Sequence, residues 1–504
     1  MCGILFYKGN KCNIKDFNKA LSLMSHRGPD FTDIKAFNNV LMGHNRLSII
    51  DLNKESNQPF TIDNYTIIFN GEIYNYIELK KQYNLVTRTN SDTEILLQLY
   101  IKFGKECLKL LNGMFSFIVY NNLDNQIFVA RDRLGIKPLY YSLINDEIFY
   151  SSEISPLLNF VSNEFDDFGI RQYRKLRMTI KGYTIYKNIK QFPPGHYSIN
   201  GKLYKYWDLE PNNENNPDDE ELGFLINDSV MLRKRSDVPV GSYLSGGLDS
   251  TILTFLLKPT HTWTVGFSSL NEFDWSDLAD KELKSHHHKI LVSKKEFLKT
   301  GNDMILKRKE PLSVPNEILI YLMTKKVKEK NTVVLSGEGA DELFWGYDRI
   351  FRWAKDEKFL DINGFDKKYS YGSHLDNEVL DYALENNPGK TVLKKVAYFF
   401  QIHHLHGLLR RLDNSTMLCS VEARVPFVDH RLIELLISGT FEWKMGNSFK
   451  EPLKRIYKNI VPTKIIDRKK IGFPVPLEEL FINKKNNSYM DSWLEYNLDI
   501  LKNK

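Results

Sequence analysis

The clearest chemical pattern lies near the middle of the chain, where an apolar run at 240–244 leads directly into SGGLDS at 245–250. The run predicts a buried strand of a parallel sheet, followed by a tight turn and a helix start. Glycines let backbone N–H groups approach phosphate oxygens, and a helix N-terminus favours negative charge. A carboxylate within such a loop, Asp249, suits a divalent cation held against phosphate. The stretch predicts a nucleotide-cleaving site.

A second loop of the same kind, SGEGADE at 336–342, follows another apolar run. It combines small residues for close backbone approach with carboxylates for metal or proton chemistry. Because ligands of parallel sheets bind at the carboxyl ends of the strands, we expect the two loops to face one ligand together with the strand end at Val265. Asp249 and Asp341 could then share Mg²⁺ ions that bridge polyphosphate oxygens.

Cys2 is the third chemical candidate. Removal of Met1 would leave Cys2 as the first residue, with an α-amine of pKa about 8 beside a thiol of about 8.5. The neutral amine could take the thiol proton during attack, so no histidine partner is needed. A small buried thiol near a frayed terminus is the alternative, and position alone does not decide between the two.

Two kinds of region must position these residues. From 1 to 207, short aromatic and apolar runs broken by Asn, Asp and Gly predict an α+β domain of packed antiparallel sheets, with a capped helix start at 90–94. Residues 208–221, rich in Pro, Asn and acids, predict an exposed linker. From 222 to 504, alternating strand and helix patterns predict a doubly wound parallel sheet followed by a mostly helical region.

Composition limits the class of protein. The 504 residues carry a net charge of only +6, with 42% hydrophobic and 26% charged residues, as in ordinary globular proteins. The lysines are scattered among acids, which argues against a nucleic-acid partner. No apolar run reaches the roughly 18 residues of a membrane helix, and four dispersed cysteines predict neither a disulfide framework nor a zinc site. We therefore expect a reduced, cytoplasmic protein with no membrane partner.

Several first-half motifs resemble, in order, the class II glutamine amidotransferases: MCGI at 1–4, SHRGPD at 25–30, HNRLSIIDL at 44–52, FNGEIYN at 69–75 and SDTE at 91–94. That family hydrolyses glutamine to glutamate and ammonia through a cysteine thioester, on an N-terminal-nucleophile fold. The resemblance implies Cys2 as the nucleophile and the Asn70 amide and Gly71 N–H as the oxyanion hole. It implies a glutamine site formed by Arg46, Leu47, Ser48, Ile49, Ile50, Asn70, Gly71, Glu72 and Asp92, in which Arg46 holds the α-carboxylate and the two acids receive the α-ammonium.

The second half resembles the PP-loop ATP pyrophosphatases, most closely their asparagine synthetase branch, through VPVGSYLSGGLDS, WTVGF, VVLSGEGADELFWGY, SVEARVPFVDHRL and RKKIGFPVP. These enzymes use Mg²⁺ and ATP to form an acyl-adenylate and pyrophosphate. The resemblance implies an ATP site formed by Leu244, Ser245, Gly246, Gly247, Asp249, Ser250, Val265, Ser336 and Gly337, on an adenine-nucleotide α-hydrolase-like fold. It implies Glu338 as acid/base for ammonia attack and Lys450, in competition with Lys454, as the cation for transition-state charge.

Together the resemblances predict synthesis of asparagine from aspartate, ATP and glutamine through a β-aspartyl-adenylate, with ammonia passing along a sheltered path near residues 131–141. Two departures from the family pattern concern the acceptor side: Trp345 replaces a small residue, and the stretch 310–316 lacks an aspartate. Arg424 could meet a substrate carboxylate or pair with Glu422 or Asp429. The groups His286–His288 and His403, His404 and His406 invite a metal interpretation, but adjacent histidines favour structural roles.

The sequence leaves two alternative functions open. A related amidotransferase could adenylate another carboxylate, and a PP-loop enzyme acting on tRNA would need a continuous basic face, which the sequence lacks. A homodimer is also left open.

Overall fold

A computed structural model describes residues 2–144, 146–210, 215–446, 448–469, 475–481 and 488–503. The first half contains twelve described strands: β1 (Gly3–Lys8), β2 (Phe31–Ala36), β3 (Val40–Arg46), β4 (Phe60–Ile62), β5 (Tyr65–Ile73), β6 (Gly113–Asn121), β7 (Gln126–Arg131), β8 (Tyr140–Ile144), β9 (Glu147–Ser151), β10 (Lys190–Gln191), β11 (His196–Ile199) and β12 (Lys202–Lys205). They form two six-stranded antiparallel sheets, in the orders β10-β8-β9-β1-β3-β2 and β12-β11-β7-β6-β5-β4.

In the first half, side chains that point to alternate faces of each strand form separate apolar layers. Ile4 and Phe6 of β1 join Ile68 of β5 in an apolar cluster between the two sheets. The alternate residues Leu5 and Tyr7 face the opposite side and join the largest core cluster of the protein. Because successive strand side chains point to opposite faces, apolar residues at every position bury both faces of the sheets. The flanking helices are α1 (Ile14–Ser22), α2 (Tyr76–Gln82), α3 (Asp92–Phe103), α4 (Cys107–Leu110), α5 (Ile154–Leu157) and α6 (Asp167–Leu176).

The second half is built on a five-stranded parallel sheet. Its strands are β13 (Val240–Tyr243), β14 (His261–Gly266), β15 (His286–Leu291), β16 (Val333–Leu335) and β17 (Glu422–Arg424), in the order β15-β14-β13-β16-β17. The parallel register pairs Val240 with Val333 and Val333 with Glu422. The strands therefore end along one edge, from which the loops at 245–250 and 336–342 emerge.

Helices surround this sheet and continue beyond it. They are α7 (Asp219–Arg233), α8 (Leu248–Leu257), α9 (Phe273–Leu283), α10 (Lys294–Arg308), α11 (Asn316–Val327), α12 (Ala340–Leu343), α13 (Asp348–Asp356), α14 (Ile362–Tyr369), α15 (Asn377–Leu384), α16 (Val392–Tyr398), α17 (Leu405–Met417), α18 (His430–Leu436), α19 (Phe441–Met445), α20 (Glu451–Tyr457), α21 (Thr463–Ile466), α22 (Leu477–Leu480) and α23 (Tyr489–Lys502). A π-helical stretch, Phe399–His404, joins α16 to α17. Within the described ranges, no helix combines the length and apolar character required to cross a bilayer.

The predicted fold classes are confirmed: antiparallel sheets in an α+β first half and a parallel sheet with helices in the second. The capped start of α3 is also confirmed, since the Ser91 side chain accepts a hydrogen bond from the Thr93 N–H. One boundary differs in detail. Helix α7 begins at Asp219, inside the stretch predicted as linker, because the Asp218 carboxylate caps the N–H groups of Glu220 and Glu221.

Candidate active sites

A small cavity of about 30 Å³ lies beside Cys2 at the ends of β3 and β5. The residues predicted to bind glutamine that line it are Arg46, Leu47, Ile49, Ile50, Gly71, Glu72 and Asp92. Ser48 and Asn70 are not among the described residues that line this cavity, and the Ser48 N–H donates to Asp30 Oδ2 at 2.7 Å. The structure thus brings most of the predicted set around one thiol.

Cys2 is held from its nitrogen side by Asn70. Its backbone N–H donates to Asn70 Oδ1 at 3.0 Å, which leaves Asn70 Nδ2 buried without a hydrogen-bond partner among the described residues. A buried amide nitrogen without a partner is costly unless a ligand satisfies it. Burial raises the pKa of the Cys2 thiol, opposed by a Leu47 hydrogen bond and the Arg46 charge. The thiol is therefore protonated at neutral pH and needs a base to react.

Glycine at position 71 is required by a close approach of two strands. A Cβ built on Gly71 would lie 2.1 Å from the carbonyl oxygen of Met114 on the neighbouring strand β6. Any side chain here would push β5 and β6 apart at the cavity wall.

Two acidic residues, Glu72 and Asp92, line this cavity. Burial raises the pKa of Glu72 well above its usual range, and the nearby charges of Glu422 and Asp92 raise it further. Burial also raises the pKa of Asp92 to about 6, against a hydrogen bond from the Ile73 N–H. Glu72 Oε2 has no partner in the described part of the chain. Such a pair favours a bound cation, as an α-ammonium would be.

Arg424 reaches this acidic pair from the second half of the chain. Its guanidinium lies 2.5 Å from Glu422 Oε1 and 3.6 Å from Glu72 Oε1, and it is fully buried. Of the alternatives left by the sequence, the structure supports the Glu422 pair, since Asp429 is engaged by Arg233 and Arg431. Contact with Glu72 was not predicted, because nothing in the sequence shows that β17 meets β5.

Arg46 is anchored by neutral oxygen acceptors of the backbone and of the Asn57 side-chain amide. Its terminal nitrogens donate to Asn53 O at 2.8 Å, to Asn57 Oδ1 at 2.6 Å and to Asp51 O. These acceptors carry no charge that would compensate the buried guanidinium. A substrate carboxylate beside it would supply that charge.

A second cavity, of about 270 Å³, lies at the carboxyl ends of β13, β14 and β16. The residues predicted for ATP, metal and catalysis that line it are Leu244, Ser245, Gly247, Asp249, Ser250, Val265, Ser336, Gly337, Glu338, Asp341 and Lys450. Gly246 lies behind the wall. It has φ +73°, and a Cβ there would meet the backbone of Trp275 at 2.3 Å, so the turn needs glycine.

Lys450 joins the two loops at this cavity. Its Nζ lies 2.5 Å from both Asp249 Oδ2 and Asp341 Oδ1, and the residue is 2% exposed. Burial disfavours its charge, but the two carboxylates hold the pKa of Lys450 above its ordinary value. Lys454, the competing lysine, lines the same cavity but donates to Ser448 Oγ and contacts the Phe449 ring.

Glu338 stands between the nucleotide cavity and a third cavity of about 960 Å³, since it lines both. It forms a short ion pair with Arg411 of α17, whose other terminal nitrogen lies 3.3 Å from Asn316 Oδ1. Residues 313–316, from the stretch that lacks an aspartate, also line the third cavity. Trp345 lines neither cavity among the described residues: it stacks on Phe351 with ring centroids 5.1 Å apart.

The sequence did not single out two residues that lie at these sites, Arg468 and Arg27. Arg468 donates to Gly246 O at 3.1 Å and pairs with Glu272 on the rim of the nucleotide cavity. Its position in the RKKIGFPVP motif could have indicated a role at this site. Residues 470–474 of that motif lie outside the described residues. Arg27, in SHRGPD, contacts Cys2 directly, and only the fold reveals the contact.

The segment at 131–141 belongs to the first half and contacts the second half through three side chains. Arg131 Nη2 lies 3.1 Å from His406 Nε2, Lys137 Nζ lies 3.3 Å from Asp413 Oδ1, and Tyr140 Oη lies 3.3 Å from Glu310 Oε1. His406 is thus a structural contact, and His287 likewise bonds to Thr262 and Ser276.

Comparison with known proteins gives matches over both halves. Residues 1–207 match the family model described as glutamine amidotransferase domain, and residues 221–499 match the model described as asparagine synthase. Glutamine-hydrolyzing asparagine synthetase 1 of Bacillus subtilis (strain 168) is 31% identical, with 96% of this chain and 89% of that protein covered. Asparagine synthetase 3 of the same strain is 30% identical over 94% and 87%, and asparagine synthetase B of Escherichia coli (strain K12) is 29% identical over 90% and 77%.

Proposed function

The chain belongs to the asparagine synthase family, with a glutamine amidotransferase domain ahead of the synthase domain, and from that premise we propose which of its residues carry out ATP-driven, glutamine-dependent asparagine synthesis. Its substrates are glutamine, aspartate and ATP. We assign glutamine hydrolysis to residues 1–207, a connecting segment to 208–221 and synthesis to 222–504. One observation carries the assignment: the two predicted residue sets gather around two separate cavities.

In the first cavity Cys2 attacks the side-chain amide carbon of glutamine. After removal of Met1, the free α-amine takes the thiol proton, because burial keeps the thiol protonated. Asn70 Nδ2 and the Gly71 N–H receive the developing oxyanion, a contribution of a few kcal/mol per donor. Ammonia leaves, and water hydrolyses the resulting thioester to glutamate. Arg46 holds the α-carboxylate, while Glu72 and Asp92 hold the α-ammonium.

In the second cavity the β-carboxylate of aspartate attacks the α-phosphorus of ATP, and pyrophosphate leaves into the loop formed by residues 245–250. Leu244 and Val265 line the adenine and ribose pocket, and Ser336 and Gly337 close over the nucleotide. Ammonia then attacks the acyl carbon of the β-aspartyl-adenylate. Glu338 accepts a proton from this nitrogen as AMP leaves, and Lys450 stabilises the charge that develops on phosphate.

Asp249 and Asp341 fit a divalent cation. They already share one positive charge, with Lys450 Nζ 2.5 Å from an oxygen of each, and two carboxylates near phosphate form the oxygen donor set that Mg²⁺ prefers. When bound, Mg²⁺ would neutralise charge on the pyrophosphate leaving group. We place the ammonia path along residues 131–141, and the enzyme in the cytoplasm, where its cysteines stay reduced.

Two experiments test this assignment. The first is ATP–pyrophosphate exchange across candidate acids: exchange supported by aspartate is expected, and exchange supported only by another carboxylate would contradict the acceptor. The second compares Cys2→Ala with Asp249→Asn. Cys2→Ala should abolish glutamine hydrolysis and keep ammonia-dependent synthesis. Asp249→Asn should abolish synthesis and keep glutamine hydrolysis. Loss of both activities in either variant would contradict the division of labour.

A further inference from the structure

A buried line of charged side chains runs from Cys2 to helix α17 in the second half of the chain. Arg27 Nε donates to the Cys2 carbonyl oxygen at 3.1 Å, and its two terminal nitrogens lie 3.3 Å from Glu153 Oε1 and 3.0 Å from Asp413 Oδ2. The other Asp413 oxygen lies 3.3 Å from Lys137 Nζ. Arg27, Lys137 and Asp413 are each 3% exposed or less, so water does not compensate these charges.

The backbone of Cys2 is therefore fixed at both ends. Asn70 holds its nitrogen and Arg27 its carbonyl oxygen, so these two contacts fix the backbone from which the thiol projects. The guanidinium of Arg27 is planar and rigid, so the positions of its terminal nitrogens determine where Nε points. Glu153 fixes one terminal nitrogen and Asp413 fixes the other.

Asp413 cannot be replaced by the remaining carboxylate. Arg27 contacts both Asp413 and Glu153, Lys137 contacts Asp413, and Glu153 also contacts His26 Nε2 at 2.9 Å. Without the Asp413 charge, Arg27 would keep Glu153 as its one carboxylate contact among the described residues. Arg27 would then turn toward Glu153, and its contact with the Cys2 carbonyl would weaken.

We propose that Asp413 is a positioning residue for the glutaminase reaction: it orients Arg27, and through Arg27 the Cys2 nucleophile, although it belongs to the synthase half of the chain. The inference rests on the proposed role of Cys2. Helix α17 also carries Arg411, which pairs with Glu338 beside the nucleotide cavity. One helix thus touches the machinery of both reactions, and hydrolysis requires it to be docked.

The test uses Asp413→Asn in the full-length enzyme, which keeps the shape and removes the charge. The glutaminase kcat should fall about 10- to 100-fold, as for loss of a charged hydrogen bond. The KM for glutamine should change less than about twofold, because Asp413 does not touch the substrate. Ammonia-dependent asparagine synthesis by the same preparation should be retained, and labelling of Cys2 by a glutamine-like diazoketone should slow in parallel with kcat.

Asp366→Asn is the matched control. Asp366 also forms a buried ion pair between the two halves, with Lys175 at 2.6 Å, but no contact joins it to Arg27 or Cys2 in the described part of the structure. This variant should keep its glutaminase kcat. An equal loss in both variants, a parallel fall of both activities in Asp413→Asn, or an unchanged glutaminase kcat would each overturn the proposal.

Two further variants keep the test decisive if Asp413→Asn does not fold. Asp413→Glu retains the charge and should keep more glutaminase activity than Arg27→Lys, whose single nitrogen cannot reach the Cys2 carbonyl, Glu153 and Asp413 together. The opposite order would contradict the proposal. Cys2→Ala separates the two hypotheses: glutamine hydrolysis by that variant would refute the role of Cys2 itself, whatever the Asp413 variants do.

Discussion

Replacement of Lys450 by methionine is the sharpest test of the synthesis site. Methionine keeps most of the side-chain length and removes the charge that lies 2.5 Å from both Asp249 and Asp341. At an effective dielectric of about 20, each of these contacts represents roughly 6–7 kcal/mol of gross attraction. Breaking a buried pair typically costs about 3–5 kcal/mol net. Since the two carboxylates remain 21% and 26% exposed to water, we expect the lower end, about 3 kcal/mol.

The kinetic effect should be similar in free energy to the effect on stability. Removal of one preorganised charge from a transition state usually costs about 10²–10³ in rate, and we expect that loss in ATP–pyrophosphate exchange and in asparagine formation. Glutamate release in the first cavity should be unchanged. Mg²⁺ should stabilise Lys450→Met more than the wild type against thermal unfolding, because Asp249 and Asp341 have lost their cation. A Mg²⁺ concentration of 100 times its Kd would add about 2.7 kcal/mol to the free energy of unfolding.

Lys454→Met is the matched control, since Lys454 lies in the same cavity but bonds to Ser448. It should retain exchange within about tenfold of the wild type, because Lys454 forms no salt bridge with a carboxylate in the described part of the chain. The reasoning is refuted if Lys454→Met is as damaging as Lys450→Met, or if Lys450→Met keeps normal exchange.

Three other predictions concern the glutaminase half. Burial raises the pKa of Asp92 to about 6, so kcat/KM for glutamine should fall as the pH drops below 6 and Asp92 is protonated; a glutaminase pH profile checks this, and Asp92→Asn should lose that step. Burial opposes the charge of Glu153, but His26 and Arg27 lower its pKa from 4.5 to about 2. The ionised form of Glu153 therefore stabilises the fold by about 3 kcal/mol above pH 4.5, and this stability is lost as the pH falls toward 2. In Glu153→Gln the free energy of unfolding, measured by urea titration, should change less with pH over that interval. Gly71→Ala places a Cβ 2.1 Å from Met114 O and should cost about 1–3 kcal/mol of stability, with glutamine hydrolysis reduced far more than ammonia-dependent synthesis; equal loss of both activities would argue against a local effect.

Local sequence patterns were sufficient for the strands that carry the phosphate loops. The apolar run at 240–244 becomes β13, and THTWTVGF becomes β14, because short continuous apolar runs suit strands buried on both faces. The steric need for glycine at 246 and 71 was not predicted, since it comes from the approach of Trp275 and of Met114, which are distant in sequence. The start of α7 was predicted less well, because acids that look like an exposed linker also cap a helix.

The partners of the charged residues could not be predicted in this way. Lys450, whose backbone is left-handed with φ +56°, contacts both Asp249 and Asp341, a pairing that no local pattern indicates. Arg424 and Glu72 are in contact although they lie 352 residues apart in the sequence (424 minus 72), so no local pattern could indicate the contact. Ion pairs depend on distance in space, and distance in space is set by how the two halves dock.

The sequence by itself determined the chemistry available to this protein: a thiol at Cys2, two glycine-rich loops that follow strands, and carboxylates within them. Those features are local, since turn geometry, strand burial and helix capping depend on neighbouring residues. Only the tertiary structure decided which groups act together, by placing Lys450 between Asp249 and Asp341 and by joining Asp413 to Cys2 through Arg27. Burial of these charges makes their pairing obligatory, because an unpaired charge in the interior costs more than the fold can tolerate.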